Sequence, residues 1–379
     1  MRSALLFTHR RENEAALLRA GIDVVARVGV DAASVGKVAD EADLTRPTFY
    51  AYFESMPGLL ASIWLELGPK WLGMLSDAAF DPAGSGEIEE RTHRALTDIL
   101  AAAHRVPEVL EVVQPTVAQW WTAVRSRGQF HAEKTSWLVA QRIGAKITGP
   151  IDPLVESSSV IAGVLAALPD AAAMPDGRES WDGLPEAAGF EVGMDGGGDR
   201  VILAAIDVIA RSGVRGASMA RIARRAQVST GSIYPRYPSI DDIIDRSFEH
   251  AIRAIVEANF LRVKEAGSPF DYGLSVLAGL QPARQTWRDF RIEIHLEARH
   301  RPSLAERLLV SIRETNEVLI DSSRFLRELP REVVGPLPYL IHGLGIGLSV
   351  LQNARVPVDR LDHPRLSVEV GELLRNLPR

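Results

Sequence analysis

Residues 34–60 read SVGKVADEADLTRPTFYAYFESMPGLL and residues 218–244 read SMARIARRAQVSTGSIYPRYPSIDDII. In the first, Ser34 can cap a short helix whose Val35, Val38 and Ala39 face inward, because a Ser hydroxyl accepts an otherwise orphaned backbone N–H at a helix start. The chain breaks at Ala42-Asp43-Leu44, and Thr45 caps a second short helix whose first turn accommodates Pro47. Ala39 and Ala42 are small enough for a steep, close crossing, with Leu44 and Phe49 as the plug beneath it. The second stretch repeats the plan with Ser218, Ala223, Ala226 and Ser229. Ahead of each pair lies an amphipathic helix, read from Leu17/Leu18, Val24/Val25 and Val28 and from Val201/Ile202 and Val208/Ile209. Gly29 and Gly213 stop these helices.

The two stretches belong to a longer repeat. Ile22–Leu60 aligns without a gap on Ile206–Ile244, an offset of 184 residues, with 13 of 39 positions identical. The same offset lays Val155–Leu168 on Tyr339–Gln352 and Gly163 on Gly347, so the expected duplication spans whole halves. Residues 173–198 concentrate Gly, Pro and acids without apolar periodicity and read as a linker with a reach of roughly 80 Å when extended. No run alternates apolar and polar residues, so the fold class expected is all-α. The expected domains are a head at 1–60, a helical domain at 61–172, the linker at 173–198, a second head at 199–245 and a second helical domain at 246–379. Pro175, Gly177, Gly183 and Pro185 interrupt the region where a final helix like Leu366–Leu377 would fall, an asymmetry between the halves. Connecting stretches are expected near 81–88 and 266–271.

Composition narrows the function. Hydrophobic residues make up 46% and charged ones 24% of 379 residues, enough to bury a core in each half. With no cysteine, disulfides, zinc–thiolate sites and thiol nucleophiles are excluded. The apolar patch Ala4–Phe7 is too short for a signal sequence or a membrane span, which places the expected chain in the cytoplasm with no membrane partner. There is no phosphate loop, nucleophile motif or paired carboxylate set, so neither an enzyme nor a cofactor is expected. His295, Glu297 and His300 invite a metal reading, but His295 and His300 stand five apart on a helix, a poor chelating pair, and no metal site is expected.

A raised second helix suits the major groove, where donors and aromatics meet base edges and phosphates. Here the resemblance becomes specific: both quoted stretches resemble the DNA-binding signature of TetR-type regulators. The resemblance covers about 50 residues in each half and implies three DNA-binding helices, a larger helical domain for a small effector, and two last helices that pair subunits. It implies DNA contacts at Ser34, Thr45, Arg46, Pro47, Thr48, Tyr50 and Tyr52, and at Ser218, Ser229, Thr230, Gly231, Ser232 and Tyr234. Arg46 is the candidate base reader of the first head, Arg236 that of the second, and Arg224 and Arg225 are candidate phosphate contacts. A solvated helix face is the alternative reading of that arginine pair.

Both copies depart from the family pattern. The usual turn glycine is Asp43 in one and Gln227 in the other, Met56 and Ile240 replace a lysine phosphate contact, and Pro235 should shorten the second reading helix. Residues 10–60 carry 6 basic and 8 acidic side chains, residues 194–244 carry 7 and 5, so phosphate attraction is expected to be stronger in the second head. Unlike heads imply unlike half-sites. Trp64, Trp120, Trp121, Trp137 and Trp287 are candidate effector contacts, with plain core as the alternative. The function expected is that of an effector-responsive repressor of operator DNA whose halves pair within one chain. The alternative is a homodimer in which one head reads DNA and the other half pairs or senses.

Overall fold

The computed structural model describes residues 2–80, 86–151, 163–165, 168, 199–251, 268–335 and 337–376. Every regular element among them is helical, and there is no strand. The first half supplies α1 (Arg2–Val28), α2 (Val35–Glu41), α3 (Arg46–Tyr50), α4 (Met56–Ser76), α5 (Glu87–Ala102), α6 (Pro107–Arg125) and α7 (Gln129–Thr148). The second supplies α8 (Arg200–Ser212), α9 (Met219–Ala226), α10 (Thr230–Ile233), a helical stretch over 240–251, α11 (Pro269–Gly279) and α12 (Gln285–Ala298). It continues with α13 (Pro302–Ser322), α14 (Arg324–Glu328), α15 (Arg331–Val334), α16 (Leu337–Asn353) and α17 (His363–Arg375). The expected linker, the interrupted segment at 175–185 and most of Val155–Leu168 lie outside the described residues, as do 81–85 and 266–267.

The chain divides into two compact units, residues 1–123 with 353–356, and residues 124–352 with 357–379. In the first unit α1 packs on α2, α4 and α5. Leu17, Ala20 and Val24 recur at helical spacing and are buried. A Cβ added at Gly21 would stand 2.9 Å from Leu59 Cδ2, so α1 lies directly against α4. Trp71 Nε1 donates to His93 Nδ1 at 2.7 Å, which ties α4 to α5 with a buried hydrogen bond.

In the second unit α8 buries Val201, Ile202, Ala205, Ile206 and Ile209 in one core with Ile222 and Ala223 of α9 and Phe290, Ile294 and Ala298 of α12. Two helix pairs in this unit cross with their backbones almost touching. Gly273 of α11 lies under the Pro364 backbone of α17, and Gly371 of α17 under the Pro269 ring, so any side chain at either glycine would collide. The other pair is α7 with α16. A Cβ on Gly144 would overlap the carbonyl oxygen of Gly343, and a Cβ on Gly347 would overlap that of Ala140.

The long-range alignment of Val155–Leu168 on Tyr339–Gln352 falls mostly outside the described residues, and the crossing offers a different correspondence. Gly163, matched to Gly347 by the 184-residue offset, has open space around its Cα, whereas Gly347 is packed against α7. The reciprocal pairs Gly144 with Gly343 and Ala140 with Gly347 map Ala140 onto Gly343 and Gly144 onto Gly347, an offset of 203. The constant offset holds through the heads and fails beyond them. The helix that packs on the head's first helix is α5 in one half and α12 in the other, starting at 87 and 285.

Buried histidines hold this unit together in their neutral form. His363 Nε2 donates to the Val358 carbonyl at 2.7 Å, which leaves Nδ1 to accept from Trp137 Nε1 at 2.7 Å. Burial lowers its pKa to about 4. His295 Nδ1 donates to the Arg291 carbonyl at 2.7 Å, so its Nε2 accepts, across 2.9 Å, from Nε2 of His342 on α16. Burial first, then the neighbouring Arg291 and Arg299 charges, lower the His295 pKa to about 3. The histidine partner of His295 is thus not His300, and no group of three or more metal-binding side chains occurs among the described residues.

These depressed values fix the sign of a pH effect. Below the unfolded value near 6.5 the unfolded chain takes up protons that the folded chain refuses, so stability is complete above that pH and declines as pH falls toward 4. Each buried histidine steepens the decline by at most about 1.4 kcal/mol per pH unit. The urea midpoint of the full chain, measured from pH 7.5 to 4.5, should fall in acid, and His363→Gln should flatten that slope. An unchanged slope would mean that His363 is already charged in the folded state.

Candidate nucleic-acid interface

Each head is a pair of short helices pinned by the caps that the sequence provides. Ser34 accepts from Lys37 N at 3.4 Å and Thr45 from Thr48 N at 3.2 Å. Ser218 accepts from Arg221 N at 3.3 Å and Ser229 from Ser232 N at 3.2 Å. The turn residues Asp43 and Gln227 adopt φ of 54° and 57°, the left-handed conformation that the missing glycine would have taken. In both heads the turn closes identically, with Leu44 N donating to Ala39 O and Val228 N to Ala223 O. Pro235 follows a reading helix of one turn, Thr230–Ile233, against Arg46–Tyr50 in the first head.

The reading helices bury Phe49 and Ile233 and present the rest. Tyr50 and Tyr234 are 58% and 53% exposed, the two tyrosines among the large apolar side chains left in solvent, at the same place in each head. Thr45, Arg46 and Pro47 are exposed, as are Ser229, Thr230, Gly231 and Ser232. The hydroxyls of Thr45 and Thr48 share a hydrogen bond of 2.8 Å. Tyr52 is half-buried, with the Arg10 guanidinium 6.0 Å from its ring centre. Arg46 folds back over Gly36, where an added Cβ would stand 2.7 Å from a guanidinium nitrogen, so only a glycine leaves room for that pose.

The three candidate arginines of the second head are not equivalent. Arg225 Nε binds Asp207 at 2.6 Å, and Asp207 also holds Arg211 at 3.0 Å. Arg236 pairs with Asp199 at 2.6 Å, and Asp199 also caps α8 and accepts from the Tyr237 hydroxyl. Arg224 is exposed and has no acidic partner among the described residues, which leaves it the freest phosphate ligand of the three. Residues that sequence reasoning passed over also frame the heads. Lys37 Nζ donates to the Ala32 carbonyl at 2.7 Å and Arg221 to the Gly216 carbonyl at 2.6 Å, the same clamp 184 residues apart.

A second overlooked pair links each head to its helical domain. Asp31, in the loop between α1 and α2, binds Arg105 after α5 at 2.6 Å. The matching residue of the second head is Arg215, and it binds Glu297 of α12 at 3.1 Å. Charge has reversed on both sides of the contact while the contact has stayed. Only the pattern of Asp31 against Arg215 under the 184-residue offset could have pointed to it.

The tryptophans divide. Trp64 is fully buried against Trp71, Trp121 is nearly so, and Trp120 is half-buried with its N–H on Ser76 Oγ at 2.8 Å. Trp287 packs on Phe290 in the core of the second half. Trp137 alone of the five lines the cleft found in the second unit, together with Gln141, Tyr272 and Phe325.

Two capped helix-turn-helix heads on helical bodies define a double-headed regulator of the helix-turn-helix class. Residues 17–63 and 201–246 each match the family described as bacterial regulatory proteins, tetR family. The chain is similar to the HTH-type transcriptional regulator BetI of Paraburkholderia phytofirmans (strain DSM 17436 / LMG 22146 / PsJN), 26% identical over 155 residues, which are 38% of this chain and 77% of that protein. The chain thus carries the DNA-binding module of the TetR family twice. No helix among the described residues is long and apolar enough to cross a membrane.

The turn geometry carries a stability consequence. Gln227 has a Cβ in a left-handed conformation that costs an ordinary residue about 1 kcal/mol relative to glycine. Gln227→Gly should therefore raise the thermal midpoint of the full chain, and Asp43→Gly should raise it less, since Asp tolerates this region better. A lower midpoint for Gln227→Gly would show that the Gln227 side chain supports the head.

Proposed function

We propose that this chain is an effector-responsive TetR-family repressor whose two halves pair within a single chain, so that one molecule presents two unlike heads to an operator with two unlike half-sites. The observation that carries the reading is the α7–α16 crossing. Its two helices come from different halves, and its contacts are reciprocal: Ala140 and Gly144 meet Gly347 and Gly343. An isologous, two-fold interface makes reciprocal contacts of this kind, and the crossing supports one here between halves and not subunits.

The heads then divide the labour. In the first, Arg46 is the candidate base reader, since a guanidinium can bond guanine at two edges, while acidic Asp40 and Glu41 weaken the hold on phosphate. Arg224 stands where Asp40 stands in the first head and supplies backbone attraction in the second. Arg225 and Arg236 reach DNA only by leaving Asp207 and Asp199. Effector binding in the helical region shifts the population of head spacings away from the roughly 34 Å that separates successive major grooves. The ion pairs Asp31–Arg105 and Arg215–Glu297 transmit that shift, because each fixes a head loop to a helix or helix end of the body.

The deciding experiment selects DNA from a random pool and measures the mass of the chain alone and on the selected site. A monomer of 41.4 kDa on one asymmetric site is expected. A dimer on a palindrome would overturn single-chain pairing and make one head the reader. On the selected site, Arg224→Ala should weaken binding to every sequence and lower the salt slope by about one. Arg46→Ala should relax base preference in one half-site only. Equal loss at both half-sites would contradict two distinct heads.

A further inference from the structure

The cleft lined by Trp137 has walls from both halves of the sequence. Trp137 and Gln141 come from α7, Tyr272 from α11, Phe325 from α14, Leu344 from α16, and Ser367 from α17. Apart from Gln141, Tyr272 and Ser367 its lining is apolar or aromatic, and no charged side chain belongs to it among the described residues. Its enclosed part measures about 50 Å³. That takes a few heavy atoms, on a measure in which one water needs roughly 10–15 Å³. The mouth is open.

Gln141 is the anomaly. It is 1% exposed, and neither its amide oxygen nor its amide nitrogen has a hydrogen-bond partner among the described residues. A buried polar atom left unmatched costs on the order of 1–3 kcal/mol, and here donor and acceptor sit side by side on one planar group. The other polar groups of the wall do not serve it. Trp137 spends its N–H on His363, and the Tyr272 hydroxyl, which also has no hydrogen-bond partner among the described residues, makes no bond to it.

We propose that this cleft is the effector site of the repressor described above, and that it takes a neutral, small aromatic carboxamide or lactam whose amide pairs with the Gln141 amide while its ring rests on the apolar wall. The complement of an amide is another planar group with a donor beside an acceptor, which meets both atoms at once. An ionised carboxylate would enter without a counter-charge, since the lining offers none, and is excluded by the cost of burying it. Among the described residues the site has no counterpart in the other half. Under the reciprocal mapping of the α7–α16 crossing, Gln141 corresponds to Leu344 and Trp137 to Leu340, so the other half has no amide at that place.

The proposal rests on the effector-responsive reading, but it is tested apart from it. Benzamide, benzoate and toluene serve as probes with the purified full chain at pH 7.5, and binding is followed by ligand-observed NMR and by thermal midpoint. Benzamide should bind about tenfold more tightly than toluene, the gain of two neutral hydrogen bonds in a site that otherwise leaves them unmade, and benzoate should not bind. Gln141→Leu, which installs the residue of the other half, should fold, raise the midpoint of the free protein and abolish the preference for benzamide while keeping toluene. Equal binding of benzamide and toluene, tighter binding of benzoate, or a preference that survives Gln141→Leu would overturn the site. Operator affinity of the wild-type chain is scored separately, so loss of the site leaves the DNA reading standing, and loss of DNA binding leaves the site standing.

Discussion

The contact on which the second unit depends is the backbone approach of α7 to α16. Glycine at 144, 343 and 347 and alanine at 140 bring the two helices so close that main-chain carbonyls face Cα atoms directly. Such contacts gain dispersion over a long stretch and admit weak Cα–H···O interactions. They also forbid side chains at 144 and 347, so the register of the pair is fixed: a slip of one residue would place Ile143, Ala145, Ile346 or Leu348 where no Cβ fits. Everything placed on these helices inherits that register, including the His295–His342 pair, the Trp137–His363 bond and the wall of the cleft. A few small residues thus determine where the polar groups of this unit meet.

The heads were legible because their logic is local. A hydroxyl three residues ahead of the amide that it caps, a small residue at a crossing and a left-handed turn are all written within a dozen positions. Ser34, Thr45, Asp43 and Phe49 therefore lie where their types require, and so do Ser218, Ser229, Gln227 and Ile233. The bodies were legible only as helices. Two like segments with an unequal count of residues between them defeat a constant offset, as the starts of α5 and α12 at 87 and 285 show. The significance of Gln141 depends on neighbours more than a hundred residues away, and no periodicity in α7 marks it. Trp137 was visible as a large aromatic, but not the reason it differs from Trp64: one lines a space and the other fills one.

Duplication within one chain changes what each copy must keep. Two identical subunits are bound to use the same residue on both sides of an interface, so every substitution appears twice. Here each side can vary alone, and the ion pairs record it. Glu41 faces Arg27 in the first head, and the matching Arg225 faces Asp207 in the second. Asp31 faces Arg105, and the matching Arg215 faces Glu297. In each case the position has inverted its charge and found an opposite one within reach. What has been held constant is the existence of the link between head and body, which a loop needs if it is to feel the body move. Its sign, which DNA affinity can use, has been free to change.

A single cleft at the meeting of the halves follows from the same freedom. In a symmetric pair any amide at the position of Gln141 would be present twice, near a common axis, and each copy would have to be matched or hydrated. Within one chain, Leu344 can fill its side while Gln141 keeps an unmatched amide on the other, so an amide is set into a largely apolar wall. Binding there acts on the very contact that sets the register of α7 on α16. A ligand that prefers one arrangement of that contact biases both halves together, in proportion to its differential affinity for the two arrangements. On the proposed reading, one molecule per chain is then enough to act on two heads. Two identical sites would have had to fill in step to do the same.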